Sequence, residues 1–174
     1  MAVRLNVAVL LQYDTDRLLA PFLKEAGLEP KGELYPNWAG LDGHVGGHYL
    51  SALAMNAATG SRECEERMLY MISELGRCAG ANAANHPEWG RGYIGGVPES
   101  DRIWGAFKKG DIGPYAAAWV PFYNVHKVFA GLRDAWLYCG NEDAKALFLG
   151  CCDWALDITS GLDDATMERA LDTE

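Results

Sequence analysis

The feature that most constrains this chain is a series of apolar stripes at helical spacing, separated by very short links. Met68, Met71, Ile72 and Leu75 follow i, i+3, i+4, i+7 spacing behind Ser61, a candidate N-cap. Glu63 and Glu65 stand where negative charge favours a helix's first turn. Val125, Val128, Phe129, Leu132, Trp136 and Cys139 form the stripe of a helix predicted from about Asn124 to Gly140, where glycine suits a left-handed cap. A third helix is predicted to start near Asn141 or Glu142, to bury Ala144, Leu147, Phe148, Cys151 and Ala155, and to stop at Gly161. A fourth follows Asp163 and Asp164 and runs on to the end of the sequence, and another lies between Val45 and Ala58. The links Thr59-Gly60, Gly140-Asn141 and Gly161-Leu162 force successive helices to run antiparallel. The expected fold class is therefore all-α, a chain of antiparallel helical hairpins.

Two segments are less regular. Val3, Leu5, Val7, Val9 and Leu11 alternate as a strand would, yet the first dozen residues are read as helix. Asp14 to Ala26 is also read as helix, with Pro21 in a first turn or at a kink. From about Ala84 to Trp119 the sequence is rich in Gly and Pro and is predicted to be one long loop, a length that usually serves function.

Charge and composition exclude some partners. The 174 residues carry a formal net charge of -9, which argues against nucleic acid and anionic membrane. No apolar run reaches the roughly 20 residues of a membrane span. The N-terminus resembles a signal peptide only faintly, with one Arg and no small-residue cleavage site. Five Cys cannot all pair internally, and their spacing matches no zinc finger. Cys151 lies on an apolar stripe, so the Cys151-Cys152 pair reads as core rather than redox or metal chemistry. Glu63, Glu65, Glu66 and Glu74 read as a solvated helix face, and no carboxylate pair is singled out for acid/base work.

The chemistry-bearing residues fall in three segments. Tyr35 to Ser51 contains Trp38, His44 and His48, the histidines one helical turn apart. Zinc proteases use that spacing with a Glu after the first His, but Val45 stands there. Metal binding, hydrogen bonding to sugar hydroxyls and satisfied structural histidines all stay open, with sugar favoured over metal. Gly46 and Gly47 weaken a helix and suggest close backbone approach or a helix just starting. Trp119 to Lys127 crowds aromatics at a helix start. Lys127 there opposes the helix dipole and calls for a polar or ligand partner. Gly92-Tyr93-Ile94-Gly95-Gly96 lacks the Lys and the spacing of a phosphate loop.

Taken in order, these segments resemble glycoside hydrolase families 127 and 146, the β-L-arabinofuranosidases. The matching stretches are Asp16 to Leu19, Ala26 to Leu28, Tyr35 to Trp38, Gly43 to Ala54, Ala58 to Gly60 and Gly92 to Gly95. Trp119 to Lys127, Ala130 to Leu132, Gly140-Asn141 and Asp153-Trp154 complete a collinear match over nearly the whole chain. The resemblance implies an (α/α)6 barrel, or toroid, of which residues 1–174 would form one partial domain truncated at its C-terminus. It implies action on plant-type arabinose-containing glycans. It also implies a zinc-bound Cys thiolate as nucleophile, with a Glu as general acid/base, in characterised full-length members. Those residues lie beyond the matched region, so no catalytic or metal residue and no cofactor is assigned to this chain, which is expected to be inactive alone. Trp38, His44, His48, Tyr93 and His126 are expected to bind substrate carbohydrate. A partial toroid would expose apolar helix faces and favour self-association. Full-length relatives are often secreted or periplasmic. A non-catalytic or vestigial carbohydrate-binding protein, or another α/α-barrel sugar enzyme such as an epimerase or lyase, is the alternative.

Overall fold

The computed structural model of the protein describes residues 2–36 and 40–172. Among them there are nine helices and no strand. The helices are α1 (Ala2–Leu10), α2 (Thr15–Glu25), α3 (His44–Ala58), α4 (Arg62–Asn85), α5 (Ser100–Phe107), α6 (Gly113–Ala116), α7 (Pro121–Cys139), α8 (Glu142–Thr159) and α9 (Asp164–Leu171).

The caps explain most boundaries. Side-chain oxygens of Asp14, Ser61, Asn141 and Asp163 accept the free backbone N–H groups that open α2, α4, α8 and α9. Gly140 closes α7 in the left-handed conformation, at φ 65°. The alternation near the N-terminus does not make a strand: α1 is helical, and Val7 and Leu10 pack against the core. Pro21 lies inside α2, buried with Leu18, Leu19, Phe22 and Leu23.

Two hairpins form the centre of the molecule, α3 with α4 and α7 with α8. They lie side by side, α3 on α7 and α4 on α8. Helices α3 and α7 run parallel, because Gly47 abuts Lys127, Leu50 abuts Gly131, and the Cys139 thiol donates to the Ala54 carbonyl at 3.3 Å. A Cβ on Gly47 would lie 2.3 Å from the Lys127 carbonyl carbon, and one on Gly131 would lie 2.8 Å from the Gly47 oxygen. Only glycine lets these two backbones come so close. This repetition of hairpins, with like helices parallel, is the arrangement from which an α/α barrel is built.

Three expectations need correction. The stretch from Ala84 to Trp119 is not one loop: α4 runs through Asn85, and α5 and α6 lie within it. Helix α5 forms because Ile103, Trp104 and Phe107 share an apolar face that is buried. Helix α7 starts at Pro121, ahead of Asn124, since proline needs no N–H partner in a first turn. Glu74 is not on a solvated face. It is 5% exposed and pairs with Lys31 at 3.0 Å and Arg77 at 2.6 Å.

The buried side chains form two cores. Residues of α2, α3, α4, α7 and α8, with few aromatics among them, make one. Trp89, Tyr93, Trp104, Phe107, Tyr115 and Trp154 dominate the other, which α5, α6 and the ends of α7 and α8 surround. Among the described residues no helix is long and apolar enough to cross a membrane.

Candidate sugar-binding site

The close crossing of α3 and α7 sets their N-terminal turns side by side. Gly43, at φ 95°, opens α3 and rests on Gly96, with 3.0 Å between the Cβ it lacks and the Gly96 Cα. Asn124, fully buried in the first turn of α7, donates its amide to the Asp42 carbonyl at 2.6 Å and ties the two helix starts together. Val120 precedes α7 in the left-handed region, at φ 41° and ψ 61°. A β-branched residue there costs about 1–3 kcal/mol, and such strain clusters where geometry serves a site. Around it Leu41, Trp119, Val120 and Tyr123 line a hollow of about 420 Å³. Trp119 and Tyr123 are 48% and 43% exposed at its edge.

The histidines gather beside this hollow. The rings of His44 and His48 are 6.3 Å apart, and those of His44 and Tyr123 are 6.4 Å apart. His44 is 8% exposed, and its Nδ1 meets the Leu41 carbonyl. A carbonyl only accepts, so His44 carries its proton on Nδ1. His48 and His126 are exposed. The Lys127 ammonium lies 3.2 Å from His126 Nδ1 and 3.8 Å above the Tyr123 ring. The sequence requirement that Lys127 have a partner is thus met within its own helix. Burial, followed by the charges of Lys127, His44 and His126, holds His48 below the usual histidine pKa. At neutral pH His48 is therefore an uncharged imidazole beside the Lys127 ammonium.

One of the expected residues, Tyr93, does not join this group. Trp38 lies outside the described residues. Tyr93 is 0% exposed and sits in the aromatic core against Trp89, Trp104 and Trp154. Its hydroxyl meets Ser100 Oγ at 2.7 Å, and its carbonyl accepts from buried Asn82 at 3.1 Å. The ring therefore has no face for a ligand. The glycines around it are packing devices: a Cβ on Gly95 would lie 2.3 Å from the Tyr93 hydroxyl. Conversely, Tyr123 and Lys127 belong to the rim beside the expected residues. Their signal was the i, i+3, i+4 spacing of Tyr123, His126 and Lys127, which puts all three on one helix face.

The collinear motifs that supply this rim also decide the family. The sequence model described as beta-L-arabinofuranosidase, GH127 catalytic domain, matches residues 1–174. The chain belongs to this family. Among curated proteins none matches the sequence. Membership in a glycoside hydrolase family gives the substrate class as carbohydrate.

The zinc thiolate centre that the resemblance implies does not fit the described residues. No three of their His, Cys, Asp and Glu side chains gather as a metal site. Burial pushes the Cys78 thiol up to about 12 and raises those of Cys151, Cys152 and Cys139 as well. Unless a cation stabilises its thiolate, a thiol so raised stays protonated at neutral pH and is a poor nucleophile. Two carboxylates withdrawn from solvent are engaged: Glu25 accepts from the Ser100 backbone N–H at 3.0 Å, and Glu74 is held by two cations.

Proposed function

We propose that the α3/α7 rim is a sugar-binding surface of a β-L-arabinofuranosidase-like hydrolase domain, and that these 174 residues alone do not cleave the glycosidic bond. The observation that carries this reading is the grouping of His44, His48, Tyr123, His126 and Lys127 beside the Trp119–Tyr123 hollow. Aromatic faces stack on the C–H faces of sugars, imidazoles and an ammonium bond hydroxyls, and the strained Val120 turn holds the aromatics outward. The expected lack of activity is supported by the raised thiols and by the engagement of Glu25 and Glu74.

The test is a titration of the purified chain with methyl β-L-arabinofuranoside, followed by histidine ring resonances, beside an assay with an aryl β-L-arabinofuranoside. Shifts should centre on His48 and His126, with a dissociation constant in the millimolar range, about -4 kcal/mol. An open rim covers little of a ligand, whereas a well-formed pocket buries about 70–90% of one. Turnover abolished by Cys151→Ser or Cys152→Ser would overturn the inactive reading. Shifts confined to other surfaces would overturn the site.

A further inference from the structure

We infer that Lys127 is a positioning residue, fixing His126 in the tautomer whose exposed nitrogen, Nε2, carries the proton, so that this position of the rim donates to an acceptor atom of the ligand. The inference rests on the sugar-binding reading for the ligand's identity, and on geometry alone for the tautomer.

An ammonium has three donors and no acceptor. Its 3.2 Å approach to His126 Nδ1 is therefore a hydrogen bond only if Nδ1 keeps its lone pair. The neutral ring then carries its proton on Nε2. Neighbours in sequence on a helix do not normally face each other. Here the pairing is enforced, because the ammonium also lies 3.8 Å above the ring of Tyr123, four residues back. The backbone of Lys127 is held in turn, since Gly47 of α3 rests on its carbonyl. Lys127 makes no ion pair with any carboxylate of the described residues, so nothing there draws its ammonium elsewhere. His44, whose Nδ1 donates to a carbonyl, is fixed the opposite way. One rim thus holds two imidazoles locked as opposite tautomers. At His126 a ligand oxygen that accepts, such as that of a sugar hydroxyl, matches the donating Nε2, whereas a group that only donates does not.

The experiment is long-range ¹H–¹⁵N correlation of the histidine rings at neutral pH. It is run on the wild type, Lys127→Met, Lys127→Arg and Tyr123→Leu, beside methyl β-L-arabinofuranoside titrations of each. In the wild type His126 should show a pyridine-type Nδ1 and a protonated Nε2. Lys127→Met and Tyr123→Leu should each bring in the second tautomer, and Lys127→Arg should largely restore the first. Lys127→Met should weaken sugar binding about three- to tenfold, the effect of one lost hydrogen bond. An unchanged His126 signature in both Lys127→Met and Tyr123→Leu overturns the positioning role while leaving sugar binding intact. A wild type that binds no arabinofuranoside, yet whose His126 tautomer responds to Lys127→Met, overturns the ligand assignment and leaves the positioning role standing.

Discussion

The α3/α7 rim and the aromatic core draw on similar residues and use them in opposite ways. Both combine histidine or tyrosine with glycines and large aromatics. In the core the Tyr93 and Ser100 hydroxyls are spent on the protein itself. Tyr93 is enclosed by three tryptophans. The Ser100 hydroxyl donates to the Val97 carbonyl at 2.6 Å, which leaves its lone pairs to accept from Tyr93 at 2.7 Å. At the rim the glycines are buried, but the polar and aromatic groups they carry forward are exposed. A Gly-aromatic-His motif is therefore not itself a site. What matters is whether the glycines bring a neighbouring helix onto the motif or cover the motif's own ring.

The largest effect should separate two tryptophans. Trp104→Ala removes a fully buried ring that contacts Tyr93, Phe107, Tyr115, Phe122 and Trp154, and should cost about 3–5 kcal/mol in urea unfolding. Trp119→Ala, at a half-exposed ring, should change stability by no more than about 0.5 kcal/mol while weakening sugar binding. Comparable stability losses in both would erase the distinction between core and rim.

Next come two helical glycines. Gly47→Ala forces a methyl against the Lys127 carbonyl and should destabilise by about 1–3 kcal/mol. Gly80→Ala, on an exposed part of α4 with nothing within 4 Å, should be neutral or stabilising by up to about 1 kcal/mol. A smaller loss from Tyr93→Phe, about 1 kcal/mol with sugar binding unchanged, would place Tyr93 wholly on the core side. Loss of sugar binding in Tyr93→Phe at full stability would return it to the site.

These contrasts also mark what the sequence could reveal. Caps and stripes were legible because they are local: Ser61, Asn141 and Gly140 act within a turn of where they stand. The all-α class and its hairpins followed from the two-residue links. Helix α5 was hidden, since a two-turn helix flanked by Pro and Gly is decided by burial of Trp104 and Phe107 rather than by pattern. The Gly46-Gly47 pair correctly announced a close approach, but its partner, Lys127, lies eighty residues along the chain and no local rule supplies it. Tyr93 misled for the same reason, because burial by Trp104 and Trp154 is a tertiary fact. Glu74 looked like one more surface acid until Lys31, from the loop after α2, closed over it.

The smallest effect is a titration. His48 sits below its ordinary pKa through burial first, and then through the charges of Lys127, His44 and His126. Protonation is thus disfavoured in the folded state, and the unfolded chain binds more protons in the window between the folded and unfolded values. Stability therefore carries no penalty from His48 above the unfolded value near 6.5, and it declines as pH falls through that window. His48→Gln should flatten this slope, and Lys127→Met should narrow the window by raising the folded pKa. In the core the Tyr93 hydroxyl is instead pushed up, away from neutrality. Ring-proton NMR reads the midpoint directly, so a small change suffices. A His48 midpoint at or above 6.5 would mean that Lys127 and the neighbouring histidines do not act on it together, and the rim would then be a set of separate side chains rather than one electrostatic unit.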